Sequence, residues 1–143
     1  MLQNHPHRSF PYFRRILLHL LVHLGSTFSK VGASGNPGAV HFESVYETVV
    51  ASELAKRGLD VATQVPIPVV YEGTRLEIGF RADLIVAGKV IVEIKSLAKL
   101  GDVHKKQLLT YLRLADKRLG LLSNFNEALI KDGITWIVNR LDE

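Results

Sequence analysis

Residues 81–96 contain two apolar runs joined by Ala87 and Gly88, and this pattern restricts the fold more than any other part of the chain. Each run has the length and composition of a buried strand, so we expect the two to pair as a hairpin. The second run contains Glu93 and Lys95, which the two-residue period of a strand places on one face. Burying a carboxylate and an ammonium costs roughly several kcal/mol each unless partners compensate the charges. A metal ion and a substrate phosphate would provide that compensation.

Length, charge and cysteine content narrow the class of protein. A chain of 143 residues fits one domain, which buries about two-thirds of its unfolded surface. The absence of cysteine excludes disulfides and thiolate zinc sites, and we expect a cytoplasmic protein. The net charge of +4 favours a polyanionic partner. Residues 99–118 hold six lysines and arginines against two aspartates, so the positive surplus is concentrated in this segment.

The N-terminal forty residues differ in character from the rest. Arg14 and Arg15 precede "ILLHLLVHL", an apolar run of nine residues, well short of the ~20 that a membrane helix needs. A signal peptide is one interpretation of a basic pair before an apolar stretch. His19 and His23 within the run favour an amphipathic helix that packs on the domain instead. The following "GSTFSKVGASGNPG" is typical of a flexible linker, so we place a domain boundary at residue 40.

The remaining periodicity predicts the order helix, three or four antiparallel strands, helix, strand, strand, which is an α/β fold with a mixed sheet. The first helix covers residues 42–57, with Gly58 as its C-cap. Residues 61–80 form two extended segments around a Glu72-Gly73 turn, and two prolines confine the first segment to a sheet edge or to irregular pairing. Asp102 is expected to cap a second helix that runs from about Val103 to Asp116. The last two strands are predicted in "LGLLSNF" and "GITWIVNRL".

Acidic groups converge at one end of the central hairpin. Asp83 begins one strand and Glu93 lies in the next, with the Ile94 backbone carbonyl and Lys95 beside it. Carboxylate oxygens, completed by water and phosphate oxygens, are the usual ligands of Mg²⁺. We therefore predict a Mg²⁺ or Mn²⁺ site at Asp83, Glu93 and the Ile94 carbonyl, next to an ammonium that stabilises charge developing on a phosphate.

The two helices supply further polar side chains. Glu43 and Tyr46 are three residues apart and share one helix face. Gln107 and Tyr111 are four apart on the second helix, in line with apolar residues, and a buried amide without a partner costs roughly 1–3 kcal/mol. We expect Glu43 and Gln107 to lie on two helices that flank one sheet, with their side chains directed at the Asp83–Glu93 end.

Basic residues on the second helix form a candidate nucleic-acid contact surface. The pattern places Lys106, Arg113 and Lys117 on the solvated side of that helix, with Lys105 next to them. Such a face is commonly just solvated, but beside a phosphodiester site it would contact the phosphate backbone.

Several stretches together resemble the GxxExxY family, a branch of the PD-(D/E)xK nuclease superfamily. The resemblance covers residues 42–139 almost continuously and is carried by "FESVYE", "RGLDVATQVPIPVVYEGTRLEIGFRADLIVAGKVIVEIKS", "HKKQLLTYLRLADKRLGLLSNFN" and "LIKDGITWIVN". It implies a restriction-endonuclease-like αβββαβ core with a mixed sheet flanked by helices, and a metal-dependent phosphodiesterase site. On this basis residues 41–143 are the nuclease-like domain, and residues 1–40 are a divergent N-terminal helix and linker.

The resemblance also implies roles for individual residues. Asp83, Glu93 and Lys95 match the D…ExK signature, and Glu43 matches a helix-borne glutamate that adds a metal ligand. Gln107 and Tyr111 match a Q-x-x-x-Y element of the site. Two positions depart from the pattern: Ala82 stands where the superfamily name has proline, and Val40 stands three residues before Glu43 where the family has glycine.

The expected function is a metal-dependent nuclease that acts on DNA, in repair or defence. The alternative is a nucleic-acid-binding or partner-binding module that keeps the nuclease fold with little catalysis. The intact Asp-Glu-Lys set favours the enzyme. The sequence leaves open DNA against RNA, internal against terminal cutting, and whether the protein is a homodimer.

Overall fold

The computed structural model describes residues 6–28, 39–127 and 130–140, which form a mixed sheet with helices on both faces. The helices are α1 (Pro6–Phe28), α2 (Ala39–Lys56) and α3 (Asp102–Leu114). The strands are β1 (Val61–Tyr71), β2 (Thr74–Val86), β3 (Val90–Lys95), β4 (Leu119–Asn124) and β5 (Ile134–Val138), and a 3-10 turn, Ile130–Gly133, precedes β5.

The sheet has five strands in the spatial order β1-β2-β3-β4-β5. Strands β3 and β4 are parallel and the other pairs are antiparallel. The chain order from α2 to β4 is α, β, β, β, α, β, so the predicted fold class is confirmed. Strand β1 lies at a sheet edge, as its prolines predict. The option of a fourth antiparallel strand before α3 was wrong, because residues 74–86 form one continuous strand.

The sheet separates two apolar cores, one on each face. Val90, Val92 and Ile94 of β3 belong to the core that α1 and α2 cover, which we call the α1/α2 core. Ile91, between them in sequence, belongs to the core under α3, which we call the α3 core. This alternation is the two-residue period of a strand buried on both faces. The fold therefore places α2 and α3 on opposite sides of β3.

Helix α1 is part of the α1/α2 core. Five of its side chains are buried there: Phe13, Leu17, Leu20, Leu21 and Leu24. The helix continues to Phe28, so Gly25 is not the start of a linker as expected; the rest of the predicted linker lies outside the described residues. The domain boundary at residue 40 stays a prediction. None of the helices within the described ranges is long and apolar enough to cross a membrane.

The ends of α2 and α3 follow known capping geometries. Gly58 has a φ of +80° and ends α2 as predicted; its N–H donates to the Ala55 carbonyl at 3.0 Å. The N-cap of α3 is Gly101, not Asp102, which is already helical. The Gly101 N–H donates to His104 Nδ1 at 3.0 Å.

The C-terminus of α3 lies earlier than the sequence pattern predicts. The helix ends at Leu114, and Asp116 has a left-handed φ of +51°. The Lys117 N–H then donates to the Leu112 carbonyl at 2.8 Å, which closes a Schellman motif. The placement of Lys117 on the solvated helix face was therefore wrong: it is half-buried in the turn after the helix.

The packing of α1 predicts different effects for two adjacent leucines. Leu17 is fully buried, whereas Leu18 is 42% exposed. Leu17→Ala should lower the free energy of unfolding by ~2–4 kcal/mol, because it leaves a cavity in the α1/α2 core. The matched control Leu18→Ala should change it by less than ~0.5 kcal/mol. Urea unfolding of both variants measures this, and equal effects would show that α1 does not pack as described.

Candidate active site

Strands β2 and β3 separate at the two predicted acids. Their ladder pairs Val86, Ile85 and Leu84 with β3 and ends at the Leu84–Val92 pair. At the next position the Asp83 N–H donates to Glu93 Oε1 at 3.1 Å. The Ile94 N–H donates to Asp83 Oδ2 at 2.8 Å. Two carboxylates thus accept the hydrogen bonds that backbone carbonyls accept in a regular ladder.

Strand β3 stays paired on its other side through this region. Glu93, Ile94 and Lys95 remain in register with β4 as far as the Lys95–Asn124 pair. Glu93 is only 4% exposed, and Lys95 is half-buried. By strand alternation, both side chains lie on the α3 side, as Ile91 does. Glu93 is therefore held on a strand that stays paired with β4, at a place where the sheet opens on the β2 side only.

Burial and mutual repulsion dominate the electrostatics of the acid pair. Burial and then the charge of Asp83 raise the pKa of Glu93 from its usual 4.5 to about 8. The Lys95 ammonium acts in the opposite direction, but it does not outweigh these two effects. In its ionised form the pair carries negative charge that Lys95 offsets only in part.

Helix α3 brings Gln107 and Tyr111 next to this pair. Gln107 Nε2 donates to the Tyr111 hydroxyl at 2.8 Å, so the predicted pair forms and each polar group satisfies the other. Tyr111 is 4% exposed. Burial, followed by the charge of Glu93, raises its pKa. The Phe80 ring lies 5.1 Å from the Tyr111 ring and tilts 45° to it, on the β2 side of the site.

Glu43 reaches the site region from the opposite face of the sheet. Its Oε1 accepts a hydrogen bond from the Ser96 N–H at 2.8 Å, directly after the carboxyl end of β3. Glu43 and Gln107 lie on two helices that flank the sheet, as expected, whereas the expected direction of Glu43 toward the Asp83–Glu93 pair stays a prediction. The observed contact of Glu43 is with the chain that follows Lys95, and its second oxygen is not used in that bond.

Sequence reasoning missed the residues that fix the chain after Lys95. Asn124 is fully buried, and its side-chain amide bonds the N–H and the carbonyl of Leu97, each at 2.9 Å. The Phe125 N–H donates to the Lys95 carbonyl at 2.9 Å. Tyr46 stacks on Phe125 with ring centroids 4.1 Å apart. The only signal in the sequence was a polar Asn at the end of an apolar strand.

A second missed contact joins α2 to β1 beside Asp83. Gln64 Nε2 donates to both oxygens of Glu47, at 2.8 and 2.9 Å. Burial raises the pKa of Glu47; the Gln64 bond lowers it, and the charge of Asp83 raises it. The charge of Asp83 thus raises the pKa of Glu47 as well as that of Glu93. Nothing in the periodicity of β1 indicated that Gln64 faces α2.

The predicted phosphate contacts lie mainly on the outer surface of α3. Lys105, Lys106 and Arg113 are exposed, and Lys117 is half-buried just beyond the helix. None of the four forms an ion pair with another residue in the part of the chain that the structure describes. Because α3 covers the face that holds Glu93, these cations lie on the same side of the sheet as the acids.

The chemistry of the donor set fits a hard divalent cation held by few protein ligands. Among residues 6–28, 39–127 and 130–140, no three His, Asp or Glu side chains are placed to enclose an ion. Each member of the Asp83–Glu93 pair uses one oxygen for a backbone hydrogen bond and has a second oxygen for a cation. Mg²⁺ commonly takes one or two carboxylates and keeps several waters. A cation would also neutralise the charge that raises the pKa of Glu93.

Comparison with known families agrees with this geometry. A model of the PD-(D/E)XK nuclease superfamily matches residues 30–137. This range covers most of the chain and includes α2, α3, strands β1 to β4 and all of β5 except its last residue. The protein belongs to the PD-(D/E)XK nuclease superfamily. No curated protein and no solved structure matches it significantly.

The raised pKa of Glu93 predicts how stability depends on pH. Between its unfolded value near 4.5 and its folded value of about 8, the metal-free native state binds more protons than the unfolded state. The free energy of unfolding should therefore fall as pH rises through this window, by at most ~1.4 kcal/mol per pH unit. Glu93→Gln should remove this contribution, so that the variant gains stability relative to the parent from pH 5 to pH 8.

Urea unfolding at several pH values with EDTA present measures the difference. Asp83, Lys95 and Tyr111 are the other titratable groups near Glu93, and they remain in both proteins. Identical pH slopes would show that Glu93 is not held in a charge-disfavouring site.

Proposed function

We propose that this protein is a metal-dependent phosphodiesterase of the GxxExxY branch that cleaves DNA. The observation that carries the proposal is the contact of half-buried Asp83 with buried Glu93 where β2 and β3 separate, with Lys95 two residues after Glu93 on β3. Superfamily membership supports a nuclease. Assignment to the GxxExxY branch is supported by two residues of α2. Glu43 contacts the residue after β3, and Tyr46 contacts the residue after β4.

In this proposal Asp83, Glu93 and the Ile94 carbonyl hold a Mg²⁺ or Mn²⁺ ion. The Ile94 N–H already bonds Asp83 Oδ2, so the Ile94 backbone lies beside the carboxylate. Glu43 would contribute through the oxygen that Ser96 does not use. A bound divalent cation polarises a phosphate oxygen and lowers the pKa of coordinated water. We propose that the ion neutralises the acid pair as well.

The remaining residues act on the substrate or hold the site. The Lys95 ammonium stabilises negative charge that develops on the phosphate. The backbone that carries this side chain is anchored by Phe125 and Glu43. Gln107 and Tyr111 present an amide and a hydroxyl near Glu93 that orient a phosphate or a water. Lys105, Lys106, Arg113 and Lys117 contact the phosphate backbone on either side of the cleaved bond.

The proposal also covers the substrate class and the oligomeric state. The exposed cations of α3 suit DNA and RNA equally, and DNA is proposed from the superfamily resemblance. A homodimer is proposed as the form that would cut both strands of a duplex. A cleavage assay with single-stranded, linear and circular DNA, together with RNA, tests which of these substrates the protein cuts.

One observation favours the alternative of a binding module with little catalysis. One oxygen of each acid is already engaged by a backbone N–H, and no third acid closes around the pair within the described residues. Such a module would bind nucleic acid through α3 without cleaving it. Cleavage that depends on a divalent ion and on Lys95 separates the two functions.

The proposed roles of Glu93 and Lys95 predict different losses. Glu93→Gln should weaken metal binding and abolish cleavage together, because a neutral amide binds a hard cation poorly. Lys95→Ala removes no ligand, so the metal should still bind, while cleavage falls by at least ~10²-fold. Calorimetric titration with Mn²⁺ and cleavage of plasmid DNA measure both effects. Wild-type cleavage by Lys95→Ala would remove the mechanism proposed here.

Charge reversal on α3 tests the nucleic-acid surface. Lys106→Glu with Arg113→Glu should weaken DNA binding to a similar degree for all sequences, and should reduce the slope of log K against log salt by roughly 2, since each phosphate contact contributes ~0.9. Binding is measured in EDTA on the Lys95→Ala background, which prevents cleavage. Lys89→Glu, in the turn at the opposite end of β3, is the control. An unchanged slope in the double variant would identify α3 as ordinary solvated surface.

A further inference from the structure

Gln64 has a backbone conformation that is unusual inside a strand. Its φ is +51°, in the left-handed region that residues with a side chain rarely adopt. The other non-glycine residues with positive φ in the described ranges lie in turns or beyond the end of an element: Glu72, Ala87, Asp116 and Arg140. Gln64 alone among them lies within a strand. A strained residue that persists inside regular structure points to a function of the strain.

Gln64 lies opposite Asp83. The β1–β2 ladder pairs Thr63 with Leu84 and Val65 with Ala82, and the Gln64–Asp83 position between them is not paired. The register is the same on both sides of this gap, so no residue has been inserted. The interruption is a local change of backbone direction at one cross-strand pair.

The faces of both strands change at this pair. In β1, Val61 packs on the α1/α2 core, whereas Ile67, of the same parity, is buried in the α3 core. In β2, Leu84 belongs to the α1/α2 core and Ala82 to the α3 core. Residues of the same parity share a face in a regular strand. The two-stranded ribbon therefore turns over at Gln64 and Asp83, and beyond this point β2 no longer pairs with β3.

Glu47 holds Gln64 in this conformation. Both carboxylate oxygens of Glu47 accept from the same amide nitrogen, which ties the edge strand to α2 at the turn-over point. In a regular strand the side chain opposite Asp83 would point to the same face as Asp83. In the observed left-handed conformation the Gln64 side chain bonds Glu47 of α2 instead.

We propose that Glu47 and Gln64 are positioning residues that keep β2 separated from β3 at Asp83. Their hydrogen bonds fix the turn-over of the β1–β2 ribbon, and the turn-over directs the Asp83 carboxylate to the Ile94 N–H and the Asp83 N–H to Glu93. This inference rests on the proposed function for the role of Asp83, but the geometry that it explains does not depend on catalysis. Partners that orient a ligand residue typically contribute 10–100-fold to metal affinity or activity.

The Gln64→Gly variant distinguishes a role in positioning Asp83 from a role in the stability of the whole protein. Glycine adopts a positive φ without strain but cannot bond Glu47. We expect the urea midpoint to change little, whereas exchange of the Asp83 and Ile94 amide hydrogens becomes at least tenfold faster. In cleavage assays kcat should fall 10–100-fold with less than a threefold change in KM. The control Glu72→Gly relieves a similar φ at the exposed hairpin tip and should change neither exchange nor kcat.

A second experiment swaps the residue types of the Glu47–Gln64 pair. Gln64→Glu alone places a carboxylate against Glu47 and should accelerate exchange at Asp83 and Ile94. Adding Glu47→Gln restores an amide–carboxylate pair with the roles reversed and should recover most of the protection. Amide hydrogen exchange is measured without substrate. This experiment therefore tests the positioning role even if the protein cleaves nothing. Wild-type exchange at both amides in Gln64→Gly, or no recovery in the double variant, would overturn it.

Discussion

The structure depends on two hydrogen bonds in which carboxylates replace backbone carbonyls. Asp83 accepts from the backbone of β3, and Glu93 accepts from the backbone of β2. This exchange ends the β2–β3 ladder, yet it leaves neither N–H unsatisfied. It also requires two like charges close together in a buried place, which is costly unless a proton or a cation neutralises them. The hydrogen bonds that end the β2–β3 ladder thus also bring two carboxylates together, and a cation or a proton bound there is favourable.

Most of the side chains around the place where β2 and β3 separate hold the backbone that follows β3. Glu43 and Asn124 bond the two residues that follow Lys95, and Phe125 bonds the Lys95 carbonyl. Tyr46 stacks on Phe125 and so joins α2 to the end of β4. A lysine has a long flexible side chain, and immobilising its backbone reduces the conformations that it can explore. Helix α2 therefore supports the site from the face of the sheet opposite to the acid pair.

Much of the fold could be predicted from the sequence because it follows from periodicity. The alternation in residues 81–96 identified β3 and the shared face of Glu93 and Lys95, and Gly58 marked the end of α2. These features depend on neighbours in the chain. The prediction for the end of α3 failed because Asp116 takes a left-handed conformation that glycine usually supplies.

The supporting contacts of the site could not be predicted in the same way. Gln64 and Glu47 are 17 residues apart, and their contact exists only because one residue of β1 leaves the regular strand conformation. A two-residue period counted from Val61, which packs on the α1/α2 core, would have placed Gln64 on the α3 side. Asn124 bonds Leu97 across 27 residues, through a pairing of parallel strands that local pattern does not specify. The reactive pair could be inferred from residue types, whereas the contacts that hold it required the structure.

The central claim is that the Asp83–Glu93 pair is a cation site. Crystals of the wild-type protein grown with Mn²⁺ and analysed by anomalous scattering test it directly. We expect an anomalous peak ~2.0–2.4 Å from one oxygen of each carboxylate, with the bonds from the Ile94 and Asp83 N–H groups retained. A saturated crystal with no peak between the two side chains, or with manganese bound only elsewhere, would show that the pair is not a cation site.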